Sequence, residues 1–273
     1  MLIAQITDTH IKPEGRLAYR VVDTEPCLAR CVAAVEAGRP KPDVVLMTGD
    51  LVDAGRPEEY ARLRRLIAPL SMPVYLIPGN HDKRGALRAA FPDHRYLPVD
   101  GEFLHYTVED WPLRLIGLDT LVPGCGHGAL CAERLAWLER QLAAAPERPT
   151  VVFMHHPPFA TGIAHMDEIA LAEPEKFAAI IARHPQVERV LCGHVHRSIQ
   201  VRFHGTVASV APSSAHQVAL DLRPEGAAAF MLEPPGYQLH LWQPGTGLVT
   251  HTAAVGDFAG PYPFFDPQGR LIG

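Results

Sequence analysis

Apolar and polar residues alternate along this chain in two different rhythms, and the change between them divides it. Over the first two-thirds, short apolar runs alternate with amphipathic stretches of period 3.6. "LIAQIT" (2–7), "DVVLMTGD" (43–50) and "PVYLIPGNHD" (73–82) are apolar runs of strand length. Between them, "PCLARCVAAVEAG" (26–38) and "PEEYARLRRLIAPL" (57–70) carry helical spacing, the first stopped at Gly38. "LHYTVED" and "LRLIGLDT" predict an antiparallel pair. Helix "CAERLAWLERQLAAA", strand "PTVVFMHHPP", helix "PEKFAAIIARH" and strand "VERVLCGH" follow. Beyond residue 198 the rhythm becomes that of hairpins with Pro/Gly turns, "SIQVRFHGTVASVAPSSAHQV" and "GYQLHLWQPGTGLVTHTAAV".

This order predicts an α/β sandwich with parallel central strands. No linker or internal repeat interrupts it, so a single domain is expected over 1–273, with a β-rich part from about residue 200. The last stretch, "DFAGPYPFFDPQGRLIG", is rich in aromatics, Pro and Gly. It is expected either to wrap the body or a partner chain, or to form a loose tail.

Nearly every strong parallel-type strand runs into metal-ligand chemistry. "LIAQIT" leads to Asp8 and His10, "DVVLMTG" to Asp50, and "PVYLIPG" to Asn80 and His81. "PTVVFM" leads to His155, and "VERVLCG" to His194 and His196. Ligands of open α/β sheets bind beyond the carboxyl ends of the strands, so these residues are expected to converge on one edge. Taken singly, each has a plainer explanation: Asp8 as a cap, Asp50 and Asn80 as turn residues. Together they form the series Asp-x-His, Gly-Asp-x-x-Asp, Gly-Asn-His-Asp, strand-end His and Gly-His-x-His. His194 and His196, two apart in extended chain, project to one side.

That series resembles the calcineurin-like metallophosphoesterase superfamily, whose motifs cover residues 8 to 196 here. The resemblance implies a four-layer α/β/β/α sandwich of two mixed sheets flanked by helices. It implies two divalent metal ions per chain. Asp8, His10 and His196 would hold the first, Asn80, His155 and His194 the second, and Asp50 both. An N/O ligand set admits Mn, Fe, Co or Zn. Hydrolysis would use a hydroxide formed on the metals. His81, beside Asn80, matches the active-site histidine and is expected to protonate the leaving alkoxide or stabilise the phosphoryl oxygens. Asp53 and His156 are expected to support the ligands from behind.

Within the superfamily, "AQITDTHI", "GRPEEY", "YLIPGNHD", "FMHHPP", "HMDEIAL", "APSSAHQV" and "FAGPY" resemble the bacterial cyclic-nucleotide and glycerophosphodiester phosphodiesterase branch. Broad hydrolysis of small phosphodiesters of glycerophosphodiester type is implied. A 3′,5′-cyclic-nucleotide phosphodiesterase on the same metals is the alternative, and a non-catalytic scaffold of the same fold the more distant one. His216 and Tyr19 are implied near the substrate, with Asn80 and His81, and the branch implies a homo-oligomer.

Composition narrows the remaining classes. Lys and Arg number 25 against 30 Asp and Glu, a formal net charge of −5. That balance argues against general nucleic-acid or anionic-membrane binding. No apolar run approaches the ~20 residues of a membrane span. The N-terminus reaches Asp8 without a basic region and reads as a strand rather than a signal segment. Five cysteines without metal-site spacing read as free thiols of a cytoplasmic protein.

Overall fold

The computed structural model describes all residues, Met1–Gly273. In chain order the elements are β1 (Leu2–Ile6), α1 (Thr24–Glu36), β2 (Val44–Thr48), α2 (Pro57–Ile67), β3 (Val74–Ile77), α3 (Arg84–Ala90), β4 (Tyr106–Val108), β5 (Arg114–Leu118), α4 (Ala132–Ala143), β6 (Thr150–Met154), α5 (Ala164–Asp167), α6 (Pro174–Arg183), β7 (Val187–Cys192), β8 (Ile199–Phe203), β9 (Thr206–Val210), β10 (Gln217–Val218), β11 (Phe230–Met231), β12 (Gly236–Gln243) and β13 (Gly247–Ala254).

Two mixed sheets result, of order β13-β12-β1-β2-β3 and β4-β5-β6-β7-β9-β8. Strands β1, β2 and β3 are parallel in the first, and β5, β6, β7 and β9 in the second. All five residues of β2 and of β6 are buried, as expected of strands covered on both faces. The strand alternation assigns the two cores. Leu115, Val151, Phe153 and Leu191 face the first sheet and share a core with Ile3, Val45 and Met47. The intervening residues Ile116, Val152, Met154 and Val190 face outward onto Leu138 and Leu142 of α4 and Phe177 and Ile181 of α6. Helices α1 and α2 cover the other sheet through Leu28, Val32, Tyr60 and Leu63. The layers therefore run α/β/β/α, and each fully buried aliphatic side chain contributes about 1.5–3 kcal/mol to holding them.

Helix α2 shows how local signals place these layers. Pro57 opens it, and the Glu59 carboxylate accepts from the Arg56 backbone N–H at 3.0 Å, closing the first turn. Tyr60, Leu63 and Ile67, at i, i+3 and i+7, then form the buried face.

The C-terminal hairpin completes the first sheet. Strand β12 pairs antiparallel with β1, with Ile3 opposite His240. Gln5 of β1 joins the sheets through the core. Its Nε2 donates to Thr48 Oγ1 at 3.0 Å and to the Cys192 carbonyl at 2.9 Å, and its Oε1 lies 3.1 Å from His240 Nε2. A buried amide satisfied on both ends fixes one relative placement of the sheets. Residues 256–273 pack little against the body: Phe258, Tyr262, Phe264 and Leu271 are all exposed. No helix is long and apolar enough to cross a membrane.

Candidate metal centre and active site

The carboxyl ends of β1, β2 and β3 meet those of β6 and β7, and backbone bonds lock the junction. The Asp8 and His10 N–H groups donate to the Gly49 and Asp50 carbonyls at 3.1 and 3.0 Å. The Gly193 N–H donates to the His155 carbonyl at 3.0 Å. Across the sheets, the His194 N–H donates to Asp8 Oδ2 at 3.0 Å, and within the first sheet the His81 N–H donates to Asp50 Oδ1 at 2.9 Å. Every ligand residue expected from the sequence lies at this junction.

The backbone is bent there in a way most residues avoid. Asp8, His10, Asp50, His194 and His196 all have positive φ, between 43° and 73°. Non-glycine residues held left-handed cost of order 1–3 kcal/mol each and persist where the surroundings over-determine them. This strain turns each side chain off the end of its strand toward a common point. Gly193 is required for another reason: a Cβ on it would stand 2.1 Å from Thr7 Oγ1 and 2.9 Å from Asp8 Oδ2.

The side-chain atoms have the spacing of a coordination shell. His10 Nε2 and His196 Nε2 face each other at 3.2 Å, and His196 Nε2 is 3.2 Å from Asp8 Oδ1. On the other side, His155 Nε2 is 3.2 Å from Asn80 Oδ1 and 3.4 Å from Asp50 Oδ2. Asp50 Oδ2 is also 3.6 Å from His10 Nε2, so it stands between the two groups. Two atoms bound to one cation at about 2.0–2.1 Å are separated by about 2.8–3.4 Å at octahedral to tetrahedral angles. Buried His194 Nε2 has no hydrogen-bond partner. The donor set is oxygen and imidazole nitrogen throughout, and it fits divalent metal ions.

In His155 and His196 the second ring nitrogen is already used, which leaves Nε2 to face the centre. The His155 Nδ1–H donates to the Thr48 carbonyl at 2.8 Å, and the His196 Nδ1–H to the His216 carbonyl at 3.0 Å. His10 Nδ1 faces Asp53 Oδ1 at 3.6 Å, and Asp53 is itself paired with Lys12. His156 spends both nitrogens elsewhere, on Thr120 Oγ1 at 2.8 Å and the Gly126 carbonyl at 3.1 Å, and packs its ring 4.6 Å from that of His194.

Mutual charge sets the protonation of the cluster. Burial pushes the Asp8 carboxyl up, but the charge and hydrogen bond of His196 outweigh it and hold it at about 2. Burial opposes ionisation of Asp50 too, and His155 and His81 pull it well below the ordinary carboxylate value. Burial lowers His155, yet the charge and hydrogen bond of Asp50 raise it to about 9. Burial, then the charge of His155, brings His194 down to about 3, the neutral form a metal requires.

Around this centre lies a cavity of about 360 Å³, lined by His10, Asn80, His81, His194 and His196 on one side. Its opposite wall is Tyr19, Met166, Ile169, His216 and Phe230. His216 is buried with its ring 4.6 Å from that of His196, while Tyr19 is half exposed at the mouth, its ring 5.1 Å from that of Phe230. His81 Nδ1 is 2.7 Å from the Asp53 carbonyl, so the ring is oriented with Nε2 4.0 Å from Asp50 Oδ2.

The structure adds residues that sequence patterns did not single out. Asp82 accepts from the Gly79 and Leu51 N–H groups at 2.8 and 3.1 Å and from Tyr60 Oη at 2.9 Å. It ties the turn bearing Asn80 and His81 to the end of β2. Its signal was present as the last residue of Gly-Asn-His-Asp. Met166, Ile169 and Phe230 come from short elements with no periodicity to reveal them.

Residues 1–198 match the calcineurin-like phosphoesterase family. The chain belongs to that family. It is 42% identical over 273 residues, all of this chain and all of the relative, to a probable glycerophosphodiester phosphodiesterase, GpdQ, of Arcobacter nitrofigilis. It is 33% identical over 215 residues to the 3′,5′-cyclic adenosine monophosphate phosphodiesterase CpdA of Escherichia coli K12, covering 79% of this chain and 76% of that one. A dimetal phosphatase from Danio rerio has a similar fold, with a TM-score of 0.60 and 15% identity over 94% of this chain and 99% of the other.

Proposed function

We propose that this protein is a dinuclear metal-dependent hydrolase of small phosphodiesters, of glycerophosphodiester type and broad tolerance. Asp8, His10 and His196 would hold the first ion in this reading, Asn80, His155 and His194 the second, and Asp50 would serve both. The observation that carries it is the spacing of ligand atoms, 3.2–3.6 Å in a chain running from Asp8 through His196, His10, Asp50 and His155 to Asn80. The full-length similarity to a probable glycerophosphodiester phosphodiesterase supports the substrate class.

Bound divalent metals supply Lewis acidity and lower the pKa of coordinated water toward neutrality. The side chains do the rest. Asp8 and Asp50 would bring two negative charges against two dications, with the other ligands neutral, so the centre would stay net positive and would favour a phosphodiester anion. Burial pulls the His81 imidazole down, but the charge of Asp50, the hydrogen bond to the Asp53 carbonyl and the charges of Asp53 and Asp82 raise it on balance. With Nδ1 held by that carbonyl, the Nε2 side of the ring faces the cavity and can deliver a proton to the departing oxygen. The wall of Tyr19, Met166, Ile169 and Phe230 would offer a largely apolar surface to one substituent of the diester.

A second reading, hydrolysis of a 3′,5′-cyclic nucleotide, is favoured by one observation. Tyr19 and Phe230 form an aromatic surface at the mouth on which a purine could stack. Turnover of glycerophosphoethanolamine, cyclic AMP and bis(p-nitrophenyl) phosphate by Mn²⁺-loaded protein ranks the two. Hydrolysis of none of the three contradicts both.

A further inference from the structure

A second cavity of about 530 Å³ adjoins the centre, lined by Asp53, Asn80, His81, Lys83, Arg84 and Cys125. The two cavities share Asn80 and His81. They are neighbours across that turn, and a diester with its phosphorus at the centre has room to extend one arm into each. We propose that the second cavity receives an arm bearing its own negative charge, a carboxylate or a further phosphate, and that Lys83 selects it. This inference rests on the diesterase reading.

The charged groups lining the second cavity are satisfied internally, with one exception. Asp53 is paired with Lys12 and faces His10. Asp82 takes three donors. Arg84 gives Nε and Nη2 to the two oxygens of Asp119, at 2.6 and 2.9 Å, and Nη2 also to the Leu121 carbonyl at 2.6 Å. Lys83 has its backbone N–H bonded to Tyr60 Oη at 2.9 Å, while its ammonium forms neither an ion pair nor a hydrogen bond. Its position is nonetheless defined. A Cβ on Gly55 would stand 2.6 Å from Lys83 Cγ, so the aliphatic stem lies directly on the 53–55 loop, next to Asp53 and His81.

The first cavity has the complementary character. Its wall away from the ligands is mostly apolar, with Tyr19, Met166, Ile169, Val218 and Phe230 beside the imidazoles of His165 and His216, and it has no lysine or arginine. An apolar or aromatic arm loses little by entering there, whereas an anionic one gives up hydration without gaining a lysine or arginine partner. On the Lys83 side the same anion gains an ammonium and stays wet. The two cavities therefore sort the arms of an asymmetric diester, and they orient it for cleavage.

The test compares 4-carboxyphenyl 4-nitrophenyl phosphate with phenyl 4-nitrophenyl phosphate on metal-loaded wild type, Lys83→Ala and Lys83→Glu. Binding of (4-carboxybenzyl)(benzyl)phosphinate and dibenzylphosphinate, which are not hydrolysed, is measured calorimetrically on the same proteins. We expect the anionic-to-neutral ratio, in kcat/KM and in affinity, to fall roughly three- to fivefold in Lys83→Ala, the range of an exposed ion pair, and further in Lys83→Glu. The difference among the three proteins should shrink as salt is raised. Equal ratios in all three proteins at low salt overturn the assignment of Lys83, while turnover of the phenyl diester leaves the diesterase reading standing. Absence of turnover with a Lys83-dependent phosphinate ratio would have the opposite meaning: the cavity binds the anionic arm, and the diesterase reading fails.

Discussion

Asn80 Oδ1 stands 3.2 Å from His155 Nε2, and that contact is the one hydrogen bond the Asn80 side chain makes. Asp8, by contrast, accepts from the His194 N–H and from Thr7 Oγ1. The Asn80 amide is thus less firmly held than the Asp8 carboxylate. Replacing Asn80 with Ala should lower bound metal from about two ions to about one per chain and weaken affinity at the lost position by at least ~10-fold. Metal analysis after dialysis checks it; two retained ions would remove Asn80 from the ligand set.

His81 is argued to move a proton rather than to hold a metal. In His81→Ala, metal content should stay as in wild type while kcat falls by about 10²-fold or more for diesters with alkyl leaving groups. A p-nitrophenolate leaving group needs no proton, so its kcat should fall much less. Equal losses for both leaving groups would point to charge stabilisation alone.

Gly193 carries β7 past Asp8. Because a Cβ there meets Thr7 Oγ1 at 2.1 Å, Gly193→Ala must displace the first strand or the ligand itself. About 1–3 kcal/mol of destabilisation is expected from such overpacking. Denaturant unfolding of the metal-free protein measures it, and an unchanged midpoint would show that the junction yields freely.

His240 gives a pH signature away from the metals. Buried between Gln5 and Thr250, it is brought down to about 3 by burial and then by the charge of Arg189. An unfolded His takes its proton near 6.5. Below that pH the unfolded chain binds a proton that the folded chain refuses, so stability falls with falling pH. The loss continues until about pH 3 and amounts to several kcal/mol, on the order of 4. His240→Gln should flatten the melting temperature between pH 6.5 and 4 in metal-free protein; a slope as steep as wild type refutes the assignment.

The exposed aromatic and aliphatic residues of the last segment, Phe258, Tyr262, Phe264, Phe265, Leu271 and Ile272, bear on assembly. A run of large apolar groups in water usually marks an interface. We expect the full chain to sediment as a dimer or larger and a chain ending at residue 255 to shift toward monomer. A monomeric full-length chain would contradict the expected homo-oligomer.

Legibility in the sequence followed physical range. The β-α-β order and the convergence of polar residues at the strand ends were readable because each depends on local pattern: a buried strand ends, and a polar residue follows at a fixed offset. The pairing of β12 with β1 was not, because it joins Leu2 to Leu241 and no local signal spans that distance. Helix α3, at seven residues, and α5, at four, are too short to show a period. The left-handed bends at Asp8, His10 and Asp50 are ones that Asp and His tolerate better than most residues, but no local pattern marks where they occur. Only the folded junction shows what imposes them. The same holds for the aromatic wall, where Tyr19 meets Phe230 across 211 residues.

The central claim is that two ions act together at one centre. Titrating metal-free protein with Mn²⁺, while following turnover of bis(p-nitrophenyl) phosphate, tests it most directly. The account predicts negligible turnover without metal and a plateau at two equivalents per chain, with the second equivalent giving most of the rise. A plateau at one equivalent, or turnover that needs no metal, would contradict it.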